Sequence, residues 1–480
     1  MSTEDSIQPP ATLQIPAPRP RNRAPKDSVE LQELVAGEIA RLEYRRREVT
    51  FLLGTDELIP RERRVALTPE HVERLRCDLE ATGLKPRISV VAGAGERAGG
   101  EGETFRDADY RDAGARIVSP ESVAELGGID VVHALKEPSA YEGRLAGPFL
   151  RIGALHLASR PSGLCEMLRR RNFAAILDGG TIGYCSYLKH GGDRTPIVAS
   201  MSRFAGAVAG RKLVERLTAA GIGPGRVIVV GGGIAGLAAI RKIGSKTREL
   251  VVIEPDAAAR SRLEHVLPSV GFDDFLVYPR LTGDLFSGAV GIVFAHRSGA
   301  RAAEKVCSFE DIRRMQKGAA IADIAIDQGG SIAHHGYREE DDAVTSRDKY
   351  RRLLSDYSYY AETNMPREEP HEASAVHGDS SLPYVTVLLA LCARWGGPEA
   401  ATERILDQEI RHFSDPGEVA GRDLLDCMTQ DLRNGLQLAI HRGRLSITHP
   451  DIEKDATLAR WVRSCYSPSG DEPSTPWRSR

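Results

Sequence analysis

The stretch RVIVVGGGIAGLAAIRKI, beginning at Arg226, constrains the fold more than any other. An apolar, β-branched run enters Gly231, Gly233 and Gly236, spaced as G-x-G-x-x-G, and a helix-forming run follows at once. Such glycines let a chain turn tightly and bring backbone N–H groups close to a pyrophosphate, over the partial positive charge of a helix N-terminus. The loop to test is therefore Gly231, Gly233, Ile234, Ala235 and Gly236. A second apolar run, Leu250 to Ile253, ends at Glu254, which is 254 − 231 = 23 residues after the first glycine. The ribose-binding acid of a dinucleotide fold is expected at roughly 20 residues. A carboxylate there accepts hydrogen bonds from ribose hydroxyls and repels a 2′-phosphate, so NAD is expected over NADP. Arg260 lies a helical turn or more further on. The plainer reading is a tight turn with no ligand, but strand, glycines, helix, strand and acid in that order favour a dinucleotide site.

With 480 residues, two or three domains are expected. Lys plus Arg total 64 against 67 for Asp plus Glu, a net −3 that gives no pull toward nucleic acid or anionic lipid. No run of about 18 uninterrupted apolar residues and no basic-then-apolar leader occurs, so neither a membrane span nor a secretory signal is expected. Seven cysteines without CxxC pairs read as free thiols in a reducing cytoplasm, and no metal site is expected; His334 and His335 read as exposed loop.

The strand–helix alternation is that of parallel α/β folding. The expected partition is a disordered tail over 1–27, a helix over 28–47, a substrate domain from 48–200 and 366–400, and an NAD-binding Rossmann domain over 201–365. A helical extension over 401–465 and a frayed tail over 466–480 follow. The helix over 28–47, with Leu31, Leu34, Val35, Ile39 and Leu42 near 3.6-residue spacing, packs on the body or serves a dimer contact.

Four polar residues sit at strand ends or turns, where α/β folds place ligands: Arg64, Lys136, His156 and Asp327. Singly, each has an ordinary reading: a solvated charge, a partner for Glu137, a satisfied core imidazole, a turn cap before Gly329. Together they form a chemically coherent set. A 2-oxo or 2-amino acid carries a carboxylate that calls for a cation such as Arg64 or Lys136. Redox at Cα calls for a proton donor and acceptor, and an imidazole near neutral pKa suits His156. Asp327 balances charge as ammonium, imine and water exchange.

The segments ERRVALTPE, VVAGAGERAGGEGETFRDADYRDAGARIV, LKEP, LHLASRP, ASMSRFAGAVAGRK, VIVVGGGIAGLAA, MQKGAAIADIAIDQGG, ETNMPREEPHEAS and LPYV follow one another over residues 49–395. In that order they resemble the alanine dehydrogenase and pyridine nucleotide transhydrogenase N-terminal family. The resemblance implies two Rossmann-like, doubly wound domains with a cleft between them, in a homo-oligomer acting on a small amino acid or 2-oxo acid. It implies that Arg64 and Lys136 bind the substrate, that His156 is the general acid/base and that Asp327 assists. It also implies that Ser202 lies on the NAD phosphates and Asn364 near the nicotinamide. The chain departs from alanine dehydrogenase: AAGIGPGR precedes the dinucleotide strand, Asp178-Gly-Gly follows the substrate strand, and FAHRSGARAAEKV replaces a proline-containing turn. The shorter linker and Asp178 look closer to opine-forming relatives, N-(carboxyethyl)ornithine synthase and lysine-forming saccharopine dehydrogenase. The leading expectation is an NAD-dependent oxidoreductase at the Cα–N bond of an amino acid. The alternatives are an opine-type synthase using an amino acid's amine, and a catalytically silent NAD-binding regulator.

Overall fold

In the computed structural model the apolar runs become strands of two parallel-cored sheets. Residues 28–55, 62–95, 105–136, 138–154, 168–169, 172–183, 195–296, 303–333, 354–362, 364–408, 424–441, 444–448, 453–454 and 456–466 are described. The first sheet contains β1 (Glu48–Leu53), β2 (Lys85–Val91), β3 (Arg116–Val118), β4 (Val131–His133), β5 (Phe149–Gly153) and β6 (Phe173–Asp178). These six are parallel, in the spatial order β6-β5-β4-β1-β2-β3. Because β2 and β3 go to one side of β1 and β4 to β6 to the other, the winding reverses between β1 and β4.

The second sheet contains β7 (Gly225–Val230), β8 (Thr247–Ile253), β9 (Phe275–Tyr278), β10 (Gly291–Phe294), β12 (Ala320–Asp323) and β14 (Ser358–Tyr360). All are parallel, in the order β14-β12-β10-β7-β8-β9, and the winding reverses between β7 and β10. β11 (Cys307–Ser308) and β13 (Ile332–Ala333) form a separate parallel pair. Burial alternates along the strands: Val227 and Val229 face one apolar cluster, Ile228 and Val230 the other. Both faces of the sheet are thus covered, as parallel sheets require.

Helix α1 (Ser28–Ile39) ends earlier than the sequence periodicity predicts. Its Leu31, Val35 and Ile39, at most 1% exposed, are spent against the chain's own long helix, so they are not free for a dimer contact. Helices α2 (Pro69–Ala81) and α3 (Asp107–Asp112) belong to the first unit, with α2 capped by Thr68 and opened by Pro69. Helices α4 (Pro196–Ala219), α5 (Ile234–Ile243), α6 (Ala257–Ser269) and α7 (Phe309–Ile312) accompany the second. Helix α8 (Pro370–Trp395) returns to the first sheet and packs on β1, β4, α1 and α2. By length and composition it is apolar enough to cross a bilayer, but 83% of that window is buried within the protein.

The stretch over 401–465, expected to be helical, has helices α9 (Pro398–Leu406, entering from before 401), α10 (Leu424–Gly435) and α11 (Ala456–Tyr466), and a hairpin as well. Its strands are β15 (Leu436–His441) and β16 (Arg444–Ile447). β15 lies antiparallel on β6 and closes that sheet edge. The physical reason is the unpaired edge of β6, which a backbone partner satisfies; Leu438 and Ile440, two apart, sink into the cluster below.

Candidate active site

At the first reversal point the carboxyl ends of β1 and β4 deliver a cluster of charged and imidazole groups. Glu62 and Arg64 follow β1. The Arg64 guanidinium donates from Nε to Glu62 Oε1 and from Nη2 to Glu62 Oε2, both at 2.7 Å. This fork is buried, with Arg64 4% and Glu62 2% exposed. Burial pushes the Glu62 carboxyl up, but Arg64 and then Lys136 outweigh it and hold it below the usual range. The Val65 N–H donates to Ser374 Oγ of α8 at 2.9 Å, tying this loop to the long helix.

Strand β4 ends at His133, level with Leu53 of β1 and Ile152 of β5. Three residues later comes Lys136. Its turn is pinned from beneath by Arg151, fully buried on β5, which donates to the carbonyls of Ala134, Ile152 and Lys136 and pairs with the equally buried Glu142 at 2.9 Å. Losing either partner of such a pair leaves a buried charge at a cost of about 3–5 kcal/mol, so the turn is strongly fixed. His133 Nδ1 lies 3.1 Å from the Ile152 carbonyl and so carries the proton, leaving Nε2 to accept from Ser381 Oγ at 3.2 Å. Burial, followed by an opposing pull from the Ile152 carbonyl and a further push from Arg151, takes its pKa down to about 4. The ring stacks on His377 of α8 with centroids 5.8 Å apart.

At the second reversal point Gly231 takes φ +101, a conformation that side chains disfavour, and a Cβ there would meet Ala295 and His296 at the end of β10. A Cβ on Gly236 would run into the Gly231 carbonyl oxygen, whereas Gly233 faces open space. So Gly231 makes the turn, Gly236 lets helix and strand close up, and Gly233 leaves room for a group to approach. Ile234 and Ala235 open α5, whose N-cap Gly233 supplies no side-chain cap. Glu254 ends the next strand, and its Oε2 accepts from Gly232 N–H at 3.0 Å. Arg260 Nη1 is spent on the carbonyls of Glu254 and Pro255.

Helix α4 joins the two regions. Cβ atoms on its Gly206 and Gly210 would overlap Ala235 and Ala239 of α5, so the two backbones pack in parallel register. One turn before Gly206 on the same helix is Ser202. Its neighbour Met201 receives a contact from Arg64 Nη1 to Sδ at 3.7 Å. The Arg64–Glu62 fork therefore touches the same helix, α4, that packs on α5, the helix following the glycine turn.

Asp327 lies in the 3-10 turn Ile324–Gln328 after β12, at the same edge of the sheet; its side chain is outside the described residues. That turn is held by Lys305 Nζ, which donates to the Gly329 and Gly330 carbonyls and is pushed down to about 8 by burial, with Asp323 pulling the other way. Asn364 has φ 55, the one non-glycine positive φ among the described residues, where the chain crosses from β14 to α8. His156 lies outside the described residues, the last one after β5 being Ala154.

Sequence reasoning passed over Glu62, His133 and His377. Glu62 had a signal, a carboxylate two residues from Arg64 before a strand-to-helix turn. His133 stood inside an apolar strand three residues before Lys136. His377 gave no local signal, because only the packing of α8 on β4 brings it in.

Residues 55–205 match the family described as alanine dehydrogenase/PNT, N-terminal domain, and residues 201–403 match its C-terminal domain. Similar curated proteins include alanine dehydrogenase of Staphylococcus saprophyticus and alanine dehydrogenase 2 of Staphylococcus aureus. Each is 28% identical over 357 residues, spanning 69% of this chain and 85% of the relative. Among solved structures, an L-alanine dehydrogenase superposes with a TM-score of 0.58 at 21% identity, covering 87% of this chain and 100% of the other. The transhydrogenase from Sinorhizobium meliloti gives 0.53 at 19% identity, covering 72% and 96%. At those identities the structural likeness speaks to fold. The chain belongs to the alanine dehydrogenase/PNT family and is an oxidoreductase of that type.

Proposed function

We propose that this protein is an NAD-dependent oxidoreductase acting on the Cα–N bond of an amino acid, forming it from a 2-oxo acid and ammonia or running the reverse oxidative deamination. The observation that carries this reading is the Arg64 contact with Met201, which sets a buried cation against α4, the helix packed on the one that follows the glycine loop. A second support is the fit of the loop to a dinucleotide: open space at Gly233, an uncapped helix start at Ile234, and the Glu254 carboxylate for ribose hydroxyls. When bound, NAD would supply hydride to, or accept it from, the substrate's Cα.

The residues supply the rest. Arg64 and Lys136 hold the carboxylate and carbonyl oxygens, and their fixed charge stabilises what develops there. Ammonia adds to the keto carbon and water leaves. His156 moves the protons at nitrogen and oxygen. Asp327 balances charge, Ser202 receives the cofactor phosphates and Asn364 the nicotinamide end. A cytoplasmic setting and a homo-oligomer are part of the same reading, the latter to be measured by light scattering.

The test is NADH oxidation with pyruvate and 2-oxoglutarate, each given ammonium or, separately, ornithine or lysine, with mass spectrometry of the product. A primary amino acid formed only with ammonium supports the reading. A secondary amine formed only with an amino-acid donor replaces it by the opine-type synthase. NADH binding without oxidation on any combination replaces it by a silent NAD-binding protein.

A further inference from the structure

Apart from Thr386, helix α8 is built of buried, mainly apolar residues from Leu382 to Ala393, yet its first half carries a polar stripe, Ser374, His377 and Ser381. At i, i+3 and i+7 these share one helix face. Ser374 accepts from the Val65 N–H, one residue from Arg64. Ser381 is bonded to His133, three residues from Lys136. Between them His377 is 2% exposed and stacked on His133, and neither ring nitrogen has a hydrogen-bond partner among the described residues. Gly378 beside it is held to a glycine by the His71 ring, where a Cβ would come within 2.6 Å, so the helix has little freedom to rotate the imidazole away.

A buried imidazole with an unmet donor and an unmet acceptor is unfavourable unless a ligand satisfies it. Burial first, and then His133, Arg64, Lys136 and His71, push its pKa well below the usual histidine value, so the ring stays neutral. A neutral imidazole offers one N–H and one lone pair. These point from opposite sides of the ring, so one small acid answers one of them, and its carboxylate or carbonyl oxygen suits the N–H. The cations in electrostatic reach, Arg64 and Lys136, are those proposed above to hold the carboxylate.

We propose that His377 is a substrate-contacting residue of this site, donating its ring N–H to an oxygen of the bound acid. The proposal rests on the function proposed above. Neither nitrogen of His377 needs to titrate; its contribution is binding and orientation of the acid.

The test uses the full chain with saturating NADH and steady-state kinetics on whichever of pyruvate and 2-oxoglutarate the wild type reduces. His377→Phe keeps the ring stack on His133 and removes both nitrogens; His377→Leu is the second apolar variant should the first fail to fold. The expected result is a KM for the acid raised about tenfold or more, a KM for NADH within twofold of wild type, and a urea midpoint that is unchanged or higher. His377→Gln, which restores a donor and an acceptor, should recover part of the acid KM. A folded apolar variant with unchanged acid KM overturns the role of His377 alone. So does a variant whose only change is a lower urea midpoint, because that marks a structural imidazole. A wild type that oxidises no NADH with either acid overturns the underlying function and this proposal with it.

Discussion

His133 couples the candidate site to pH. Its ring is 1% exposed, and burial, opposed by the Ile152 carbonyl and reinforced by Arg151, sets its pKa at about 4 against an ordinary 6.5. Between those values the unfolded chain holds a proton on this imidazole that the folded chain refuses. Its contribution to stability is therefore fully present above pH 6.5 and shrinks as the pH falls. Linkage gives a loss of about 2 kcal/mol at pH 5, approaching about 3 kcal/mol once both states are protonated. His377 acts in the same direction, burial being its largest cause. The buried carboxyl of Asp323 and the half-buried one of Asp78, both raised by desolvation, act in the opposite direction. Asp323 and Asp78 are common to wild type and His133→Gln, and His377 loses only the lesser push from His133 while burial, its largest cause, remains, so the difference between the two proteins comes chiefly from the one ring. Urea unfolding at pH 7.5 and pH 5.0 measures it. On moving to pH 5.0 the wild type should lose about 2 kcal/mol more than the variant. Equal losses would refute the reasoning, because the ring would then titrate alike in both states.

Other outcomes follow from single contacts. Gly236→Ala pushes a methyl into the Gly231 carbonyl, so NADH affinity, read by fluorescence titration, should fall about tenfold or more with the far-ultraviolet circular dichroism retained; unchanged affinity would contradict the loop assignment. Glu254→Ala removes the acceptor of the Gly232 N–H and the proposed ribose partner, so preference for NADH over NADPH in paired titrations should narrow by about tenfold or more, and a constant ratio would count against it. Arg64→Lys breaks the two-point fork on Glu62 and should lower kcat/KM for the acid by about 100-fold while the KM for NADH holds; equal loss on both substrates would point to a folding defect. Leu31→Ala, at a fully buried contact between α1 and α8, should cost about 2–5 kcal/mol in urea unfolding, and a loss below 1 kcal/mol would place α1 outside the core.

The fold was legible where local chemistry repeats. The run from Val227 to Val230 is buried on both faces and reads as a parallel-sheet strand in any context, and Gly231 and Gly236 each meet a separate steric demand while Gly233 faces open space. Arg64 and Lys136 were legible as polar residues at strand ends. What escaped notice depends on long-range packing. His377 follows Lys136 by more than two hundred residues and joins the cluster only because α8 lies back across β4. The β15–β16 hairpin escaped because its need for pairing is created by the edge of β6, far earlier in the chain. Arg151 carries no local signal in the sequence, yet its guanidinium fixes the Lys136 turn. Such residues take their importance from neighbours that folding supplies.

The most direct test of the account is the fate of a label. With NADH deuterated at the transferring C4 position, a 2-oxo acid and ammonium, the account predicts an amino-acid product carrying one deuterium at Cα, seen by mass spectrometry and proton NMR. An amino acid free of deuterium at Cα, or no deuterium leaving the cofactor, would contradict it.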